Sequence, residues 1–326
     1  MLVTIIQVNT TQIQKLDVNR ELDEVADLIE LCFGSQMDAD GWRYLRNIRR
    51  AAKDREFIRW IPGCGEHVSY PLFGYVWKED NKIIGNLSLI PIYRENEWRY
   101  LIANVAVHPL HRRRGIGKQL TIRALRHIRD HNVASAWLQV RDNNPGAIQL
   151  YKSLGFVERA RRTTWIQEIA PRRSIEMPEI AQITARLNQD WEQQSAWLTA
   201  TYPREVAWNL QFERDQFAPT MWKRFIRILN GEETRQWAAR TGQELLGVAT
   251  WEPTNIHADT IWIAANPLQE EKAVLVLLAH AREQTGIMRP LSINYPAGKA
   301  EEAFQKTGYD PLNTLIWMEQ RFKPAY

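Results

Sequence analysis

Only two cysteines, Cys32 and Cys64, occur in 326 residues. That excludes a disulfide framework, and neither has a metal-ligand partner nearby. No apolar run approaches the ~18 residues that a membrane helix needs. The opening stretch MLVTIIQVNTTQIQ has no basic flank before its short apolar run and no small-residue cleavage site, so it does not read as a signal peptide. The cytoplasm, with both thiols reduced, is the expected setting. None of the seven histidines stands in an H-E-x-x-H pattern, and no metal is expected.

What is present is globular. Hydrophobic residues make up 44% and charged residues 25%, which excludes disordered and fibrous classes. The length leaves room for two domains. Fourteen tryptophans imply large apolar surfaces in cores or at a pocket. The net charge of +4 is uneven. Residues 1–170 carry 25 Lys+Arg against 19 Asp+Glu, whereas residues 171–326 carry 17 against 19. The densest basic cluster is His111-Arg112-Arg113-Arg114.

Periodicity predicts a first strand at 3–8 and a helix capped by Asn19, with Leu22, Val25, Ala26, Ile29, Cys32 and Phe33 on one face. The stretch 34–70 reads as less regular and contains a Pro62-Gly63-Cys64-Gly65 break. A hairpin follows, Phe73–Trp77 and Ile83–Ile90 about a polar turn, then a strand Trp98–Val107 ended by Pro109. A helix after Gly117, a strand Ala136–Val140, a helix from Asn144-Pro145 to Gly155 and a strand to Gln167 complete a mixed sheet flanked by helices. A linker is expected at 171–179, separating domains at 1–170 and 180–326.

The second half repeats the first. Ile84-Gly85-Asn86-Leu87-Ser88 is answered by Leu246-Gly247-Val248-Ala249-Thr250. Val105-Ala106-Val107-His108-Pro109 is answered by Ile263-Ala264-Ala265-Asn266-Pro267, and Tyr151 through Phe156 by Phe304 through Tyr309. Three correspondences in one order, at offsets of 162, 158 and 153, read as a tandem duplication of one α/β fold.

The chemistry concentrates in Val105 through Leu120, where a strand runs through a basic, glycine-containing turn into a helix. Such a turn leaves the first helical N–H groups unpaired, and the helix dipole adds positive charge there. The glycines let a bulky anion approach the main chain, and arginines add charge-assisted bonds. The result suits a pyrophosphate. A Walker loop is excluded because Arg112 and Gln119 stand at its first and last positions. A dinucleotide fingerprint fails because Leu120 replaces its third glycine.

The segment does fit [RQ]-x-x-G-x-[GA], as Arg112-x-x-Gly115-x-Gly117. Here the chain resembles the GCN5-related N-acetyltransferase (GNAT) family, whose loop of this form holds the pyrophosphate of acetyl-coenzyme A. A second hallmark follows downstream, Asn144-x-x-Ala147-x-x-Leu150-Tyr151-x-x-x-Gly155-Phe156. The resemblance covers residues 3–167 by motif and about 180–322 by architecture, and implies two tandem GNAT-like domains, each a mixed sheet flanked by helices.

The resemblance implies roles for named residues. Val105 and Val107 would offer backbone groups to the pantetheine arm. Arg112, Arg113, Arg114, Gly115, Ile116, Gly117 and Lys118 would line the pyrophosphate. Asn144 would bind pantetheine amides, and Tyr151 would act as general acid toward the leaving thiolate. A primary amine on a small molecule or a peptide terminus would attack the acetyl carbonyl directly. The acidic residue that some members carry on the third strand is missing. Asn104 is the only polar side chain in Leu101–Val107; Glu97 and Asp142 are the nearest carboxylates along the chain, and the general base is unassigned.

In the second copy the loop becomes Leu268-Gln269-Glu270-Glu271-Lys272-Ala273, without glycine, and Phe304 stands for the tyrosine. Carboxylates facing a diphosphate repel it, at about 4 kcal/mol per close pair at intermediate dielectric, so this copy is expected not to bind acetyl-CoA in the usual way. Trp42, Tyr44 and Trp60 are expected to line the acceptor pocket. Trp191, Trp197, Tyr202, Trp208, Phe212, Phe217, Trp222 and Phe225 are expected to form the second domain's helical core. The alternative class is a non-catalytic acyl-CoA-binding sensor or scaffold; a nucleic-acid site on the basic loop ranks below both.

Overall fold

The computed structural model describes residues 12–53, 73–94, 96–169, 181–210, 212–219, 234–285 and 289–322. The strand expected at 3–8, Trp60, the Pro62–Gly65 break, the linker at 171–179, Trp222 and Phe225 lie outside them. The chain divides into two units. Unit 1 comprises residues 1–158 with 318–326, and unit 2 comprises residues 159–317.

In unit 1, β1 (Ile13–Lys15) pairs antiparallel with β2 (Gly74–Glu79), β2 with β3 (Lys82–Arg94) and β3 with β4 (Glu97–Val107). The β2–β3 turn places Asp80 and Asn81 at φ of 50° and 62°, the left-handed pair that a two-residue hairpin requires. Parallel β5 (Ser135–Arg141) follows β4. Alongside β5, the Phe322 N–H donates to Ala134 O at 2.8 Å.

Helix α1 (Leu22–Phe33) buries Leu22, Val25, Ala26, Leu28 and Ile29 on the core face. Its start differs from expectation. Asn19 does not cap it; its N–H donates to Asp17 Oδ1, and the Asp17 carbonyl accepts from the Arg20 and Glu21 N–H groups. The aspartate shapes the entering turn because its short side chain reaches backbone two residues on. The stretch read as irregular contains a helix of 15 residues, α2 (Ala39–Lys53), which buries Leu45, Ile48 and Ala51 against α1. Five basic residues among them blur the apolar stripe. Helix α3 (Ile116–Asp130) packs Ile116, Leu120, Ala124, Leu125 and Ile128 inward. At its root lies Gly85 on β3, where a Cβ would stand 2.8 Å from Ile116 Cγ2. Helix α4 (Pro145–Ser153) then leads through Gly155, at φ +88°, to β6 (Val157–Gln167).

Unit 2 repeats this order. β7 (Gln182–Ala185), β8 (Arg235–Thr241), β9 (Glu244–Glu252) and β10 (Asp259–Ala265) form an antiparallel run, and β10 pairs parallel with β11 (Leu291–Pro296). Helices α5 (Trp191–Thr201) and α6 (Arg204–Leu210) precede β8. Helix α7 (Glu270–Thr285) stands for α3, and α8 (Glu301–Lys306) for α4. The registers confirm the repeat: Gly85 pairs with Val107 in unit 1, and Gly247 with Ala265 in unit 2.

The last strands change places. Most of β6 belongs to unit 2, where Leu291–Pro296 pairs antiparallel with Gln167–Arg162. The end of β12 (Asp310–Arg321), from Met318 on, belongs to unit 1. The expected division at 171–179 therefore differs from the division by packing, which falls between Glu158 and Arg159 and again between Trp317 and Met318. A strand's partners, not its place along the chain, decide where its side chains are buried. In unit 2, β6 stacks Trp165 on Phe304 at a 4.7 Å centroid separation. Of the aromatic set, Tyr202, Phe212 and Phe217 form a buried cluster with Trp262, and Trp191 and Trp197 pack against it. Trp208 is buried as well.

Candidate active site

In unit 1 the site is built where two parallel strands part. β4 pairs with β5 only from Tyr100–Ala136 to Ile102–Leu138. Beyond Ile102 the edge of β4 that faces β5 has no paired register, and this includes Val105 and Val107. A bulge opens it further. Asn86 pairs with Ala106 and Ser88 with Ala103, so Asn104 and Val105 stand opposite the single residue Leu87. Asn104 takes a φ of 50° there, and the extra residue re-aims the strand. The equivalent β9–β10 register in unit 2 runs unbroken from Glu252–Thr260 to Gly247–Ala265.

After β4, His108 caps a short turn by accepting from the Leu110 N–H, and the chain passes through Arg113 at φ 65° and Gly115 at φ 81° into α3. Gln119 is the first residue whose N–H turns back, to Gly115 O at 3.0 Å. No side chain caps the helix. Among the described residues, the N–H groups of Arg113 through Lys118 donate to no protein acceptor. They form a row of unpaired donors at the positive end of a helix dipole. Nothing lies within 4 Å of a Cβ built on Gly115, and nothing nearer than 3.7 Å to one on Gly117, where Leu150 and Val107 flank the gap. The protein leaves room that neither glycine's own surroundings fill. The donor set and the space fit a diphosphate.

The basic side chains are not equivalent. Arg114 is held away by a bidentate pair with Glu79, at 3.0 and 2.7 Å, and by His111 at 2.8 Å. Its guanidinium lowers the Glu79 carboxyl below the ordinary carboxylate value. Arg112 Nε donates to Val107 O at 3.1 Å, and Cys32 Sγ donates to the same carbonyl at 3.3 Å. The Val107 carbonyl is therefore engaged from within. Arg113 and Lys118 are exposed and bonded to nothing among the described residues.

Asn144 caps α4, its Oδ1 accepting from the Ala147 N–H at 3.1 Å; its amide N–H pair is left over. Tyr151 is buried beside Phe156, and burial raises its pKa above the ordinary tyrosine value. Among the described residues its hydroxyl has no hydrogen-bond partner, yet it is not among the fully enclosed polar atoms.

Of the two carboxylates weighed as bases, Glu97 is not brought to this place. Glu97 pairs with Arg99 at 2.8 Å at the far end of β4, seven residues from Asn104 and so about 23 Å along an extended strand. Asp142 is exposed in the turn after β5. Of the expected acceptor-side aromatics, Trp42 packs on the α1–α2 core. The Tyr44 hydroxyl accepts from Asn104 Nδ2 at 2.6 Å. Sequence reading passed over this cluster because its members are scattered along the chain and meet only at the bulge.

A second signal also went unread. His127 near the end of α3 and His131 just beyond it form an H-x-x-x-H spacing, but their rings lie 4.0 Å apart, tilted by 35°. His127 Nδ1 bonds the Tyr75 hydroxyl at 3.2 Å and His131 Nδ1 bonds His127 O at 2.8 Å. Among the described residues, no three His, Cys, Asp or Glu side chains are grouped to hold a metal.

The counterpart in unit 2 is filled by its own side chains. Tyr202 offers its hydroxyl oxygen to the Ile263 N–H at 3.2 Å, and Ile263 corresponds to Val105. Glu270 accepts from the Tyr295 hydroxyl at 2.8 Å and from Lys299 at 3.2 Å. Glu271 accepts from the Ala303 N–H. Phe304 is fully buried.

Residues 34–156 match the model of the acetyltransferase (GNAT) family. A [ribosomal protein bS18]-alanine N-acetyltransferase of Escherichia coli is 44% identical over 55 residues, 17% of this chain and 37% of that protein. A mycothiol acetyltransferase of Segniliparus rotundus is 36% identical over 63 residues, 19% of this chain and 24% of that protein. The chain thus matches only 37% and 24% of the length of these two curated relatives. In fold it is similar to a GCN5-related N-acetyltransferase from Sphaerobacter thermophilus, with a TM-score of 0.56 at 13% identity over 96% of both chains. It is also similar to a tandem GNAT protein from the clavulanic acid biosynthesis pathway, with a TM-score of 0.50 at 13% identity over 97% of this chain and 100% of that one. Among the described residues no helix is long and apolar enough to cross a membrane.

Proposed function

We propose that the chain, whose residues 34–156 match the model of the acetyltransferase (GNAT) family, is an acyltransferase that transfers the acetyl group of acetyl-CoA to a primary amine, on a small molecule or a peptide terminus, in its first domain alone. The observation that carries this reading is the row of unpaired N–H groups from Arg113 to Lys118 above a glycine-lined gap. These donors, with the Arg113 and Lys118 side chains, hold the pyrophosphate. Arg112, Arg114 and the backbone of Gly115, Ile116 and Gly117 complete the loop, Arg114 through its N–H while its guanidinium stays on Glu79. The pantetheine arm lies along the open edge of β4 beside Val105 and Val107, and the spare amide hydrogens of Asn144 serve it.

In the chemical step the amine nitrogen attacks the acetyl carbonyl carbon, polarised by the N–H of Val105. The N–C bond forms and the C–S bond breaks. One amine proton goes to water, and Tyr151 gives its hydroxyl proton to the departing sulfur. A raised pKa suits that role, because the hydroxyl holds its proton at neutral pH. Water then returns a proton to Tyr151.

Calorimetry with acetyl-CoA, followed by thiol release in the presence of an amine panel, tests the reading. Saturable binding and amine-dependent CoA release are expected. Absence of acetyl-CoA binding at millimolar concentration overturns it; binding without consumption of any amine favours a sensor.

A further inference from the structure

The bulge in β4 gathers four polar side chains under the open edge of the site. Asn104 Nδ2 donates to the Tyr44 hydroxyl at 2.6 Å and to Ser88 Oγ at 3.2 Å. Asn86 Nδ2 donates to the Asn104 main-chain carbonyl at 3.0 Å, which pins the bulge. Both amide hydrogens of Asn104 are thereby committed, and its side-chain oxygen is left over. That oxygen accepts from nothing among the described residues, and Asn104 is half-exposed. Asn86 is fully buried, and its own Oδ1 has no partner. The Asn104 oxygen is thus an open acceptor beside the edge of β4, and an N–H group of a ligand would satisfy it. It lies one residue from Val105, whose N–H faces the acetyl carbonyl in the proposed reaction.

We infer that Asn104 is the residue that binds the acceptor amine, accepting an N–H through its side-chain oxygen, and that Tyr44 and Ser88 position it. This rests on the acetyl-transfer reading above and deepens it, since it assigns the acceptor side of the same site. A neutral amide attracts an ammonium and orients the free amine that remains after proton loss. It takes up no proton itself. The acceptor must give its proton to water, so the acid limb of the rate should follow the ionisation of the amine supplied, not of a group on the enzyme. The absence of a carboxylate from Leu101–Val107 then becomes a property of the mechanism.

The test uses the full chain loaded with CoA and three probe amines: spermidine, glucosamine and a short peptide with a free N-terminal alanine. Binding is read by calorimetry and turnover by thiol release. Asn104→Leu should weaken the binding, and raise the KM, of whichever amine binds by about tenfold to a hundredfold, the loss of one charge-assisted hydrogen bond. Its acetyl-CoA affinity should be unchanged. Tyr44→Phe keeps the ring on α2 and should act in the same direction by a few-fold. It covers the case in which Asn104→Leu does not fold. Asn104→Asp should move the acid limb to lower pH, because a carboxylate at this place can accept the proton. Equal amine affinity in the wild type and both neutral variants, or an acid limb that ignores the amine's identity, overturns the inference. So does failure of every probe amine to bind. The acetyl-CoA titrations in the same series keep the cofactor reading separate: retained cofactor binding with unaltered amine affinity sinks this assignment alone.

Discussion

The Tyr202 hydroxyl sits on the Ile263 N–H at 3.2 Å, at the position that Val105 holds in unit 1. In unit 2 the backbone group that would face an acyl carbonyl already has a partner, supplied by the residue after α5. Glu270 and Glu271 are likewise bonded across the ends of α7, β11 and α8. Titration of the full chain with acetyl-CoA should accordingly give one site per chain. Arg113→Ala combined with Lys118→Ala should weaken that site about a hundredfold or more, the loss of two charge-assisted contacts, and reveal no residual second site. A stoichiometry of two would show that unit 2 opens.

The two loop glycines should respond differently to the same change. Gly115 sits at φ +81°, so Gly115→Ala should cost about 1 kcal/mol of stability or somewhat more. Gly117 lies within α3 at an ordinary helical φ, with nothing closer than 3.7 Å to an added Cβ. Gly117→Ala should stabilise the apo protein by up to about 1 kcal/mol through helix propensity, while lowering acetyl-CoA affinity by narrowing the gap between Val107 and Leu150. Denaturant melts with and without acetyl-CoA would separate the two effects.

Tyr151→Phe should lower kcat by about 10²–10⁴-fold, the range for a lost general acid, with little change in acetyl-CoA affinity. Because the tyrosine pKa is raised by burial, the wild-type rate should show no alkaline limb from this residue below about pH 10, its ordinary value. An unchanged kcat in a steady-state assay would remove Tyr151 from the proton-transfer role.

His127 is pushed down to about 4, first by burial and then by His131 and the nearby cations Arg123 and Lys15. The unfolded chain therefore binds more protons than the folded one between about pH 4 and the ordinary value of 6.5, and stability should fall as the pH drops through that window. His127→Gln keeps a polar partner for Tyr75 and should flatten the decline. Urea denaturation at pH 7 and at pH 4.5 checks it: equal destabilisation of both proteins on acidification would place the effect elsewhere.

Much of this site was legible along the chain because its parts are local. Arg112-x-x-Gly115-x-Gly117 binds through its own backbone, and Asn144 and Tyr151 belong to one helix and its cap, so short spacing carries the geometry. The helix at 39–53 was hidden because its buried residues are interleaved with arginines whose long stems cover apolar surface. The cluster of Tyr44, Asn86, Ser88 and Asn104 was not legible, since it depends on one extra residue in a strand register. The destination of β6 was equally hidden: its alternation announces a strand, but nothing in it says which neighbour it joins.

That destination bears on how the chain comes to be folded. Unit 1 draws its final segment, from Met318 on, from about 160 residues beyond Glu158. A ribosome that has made the whole cofactor loop, α3 and α4 has not yet made the residues that lie beside Ala134. The first half waits with one flank of its sheet uncovered until Met318 and the residues after it have been made. Slow contact formation over so long a separation makes that interval the stage at which this chain most needs protection from aggregation.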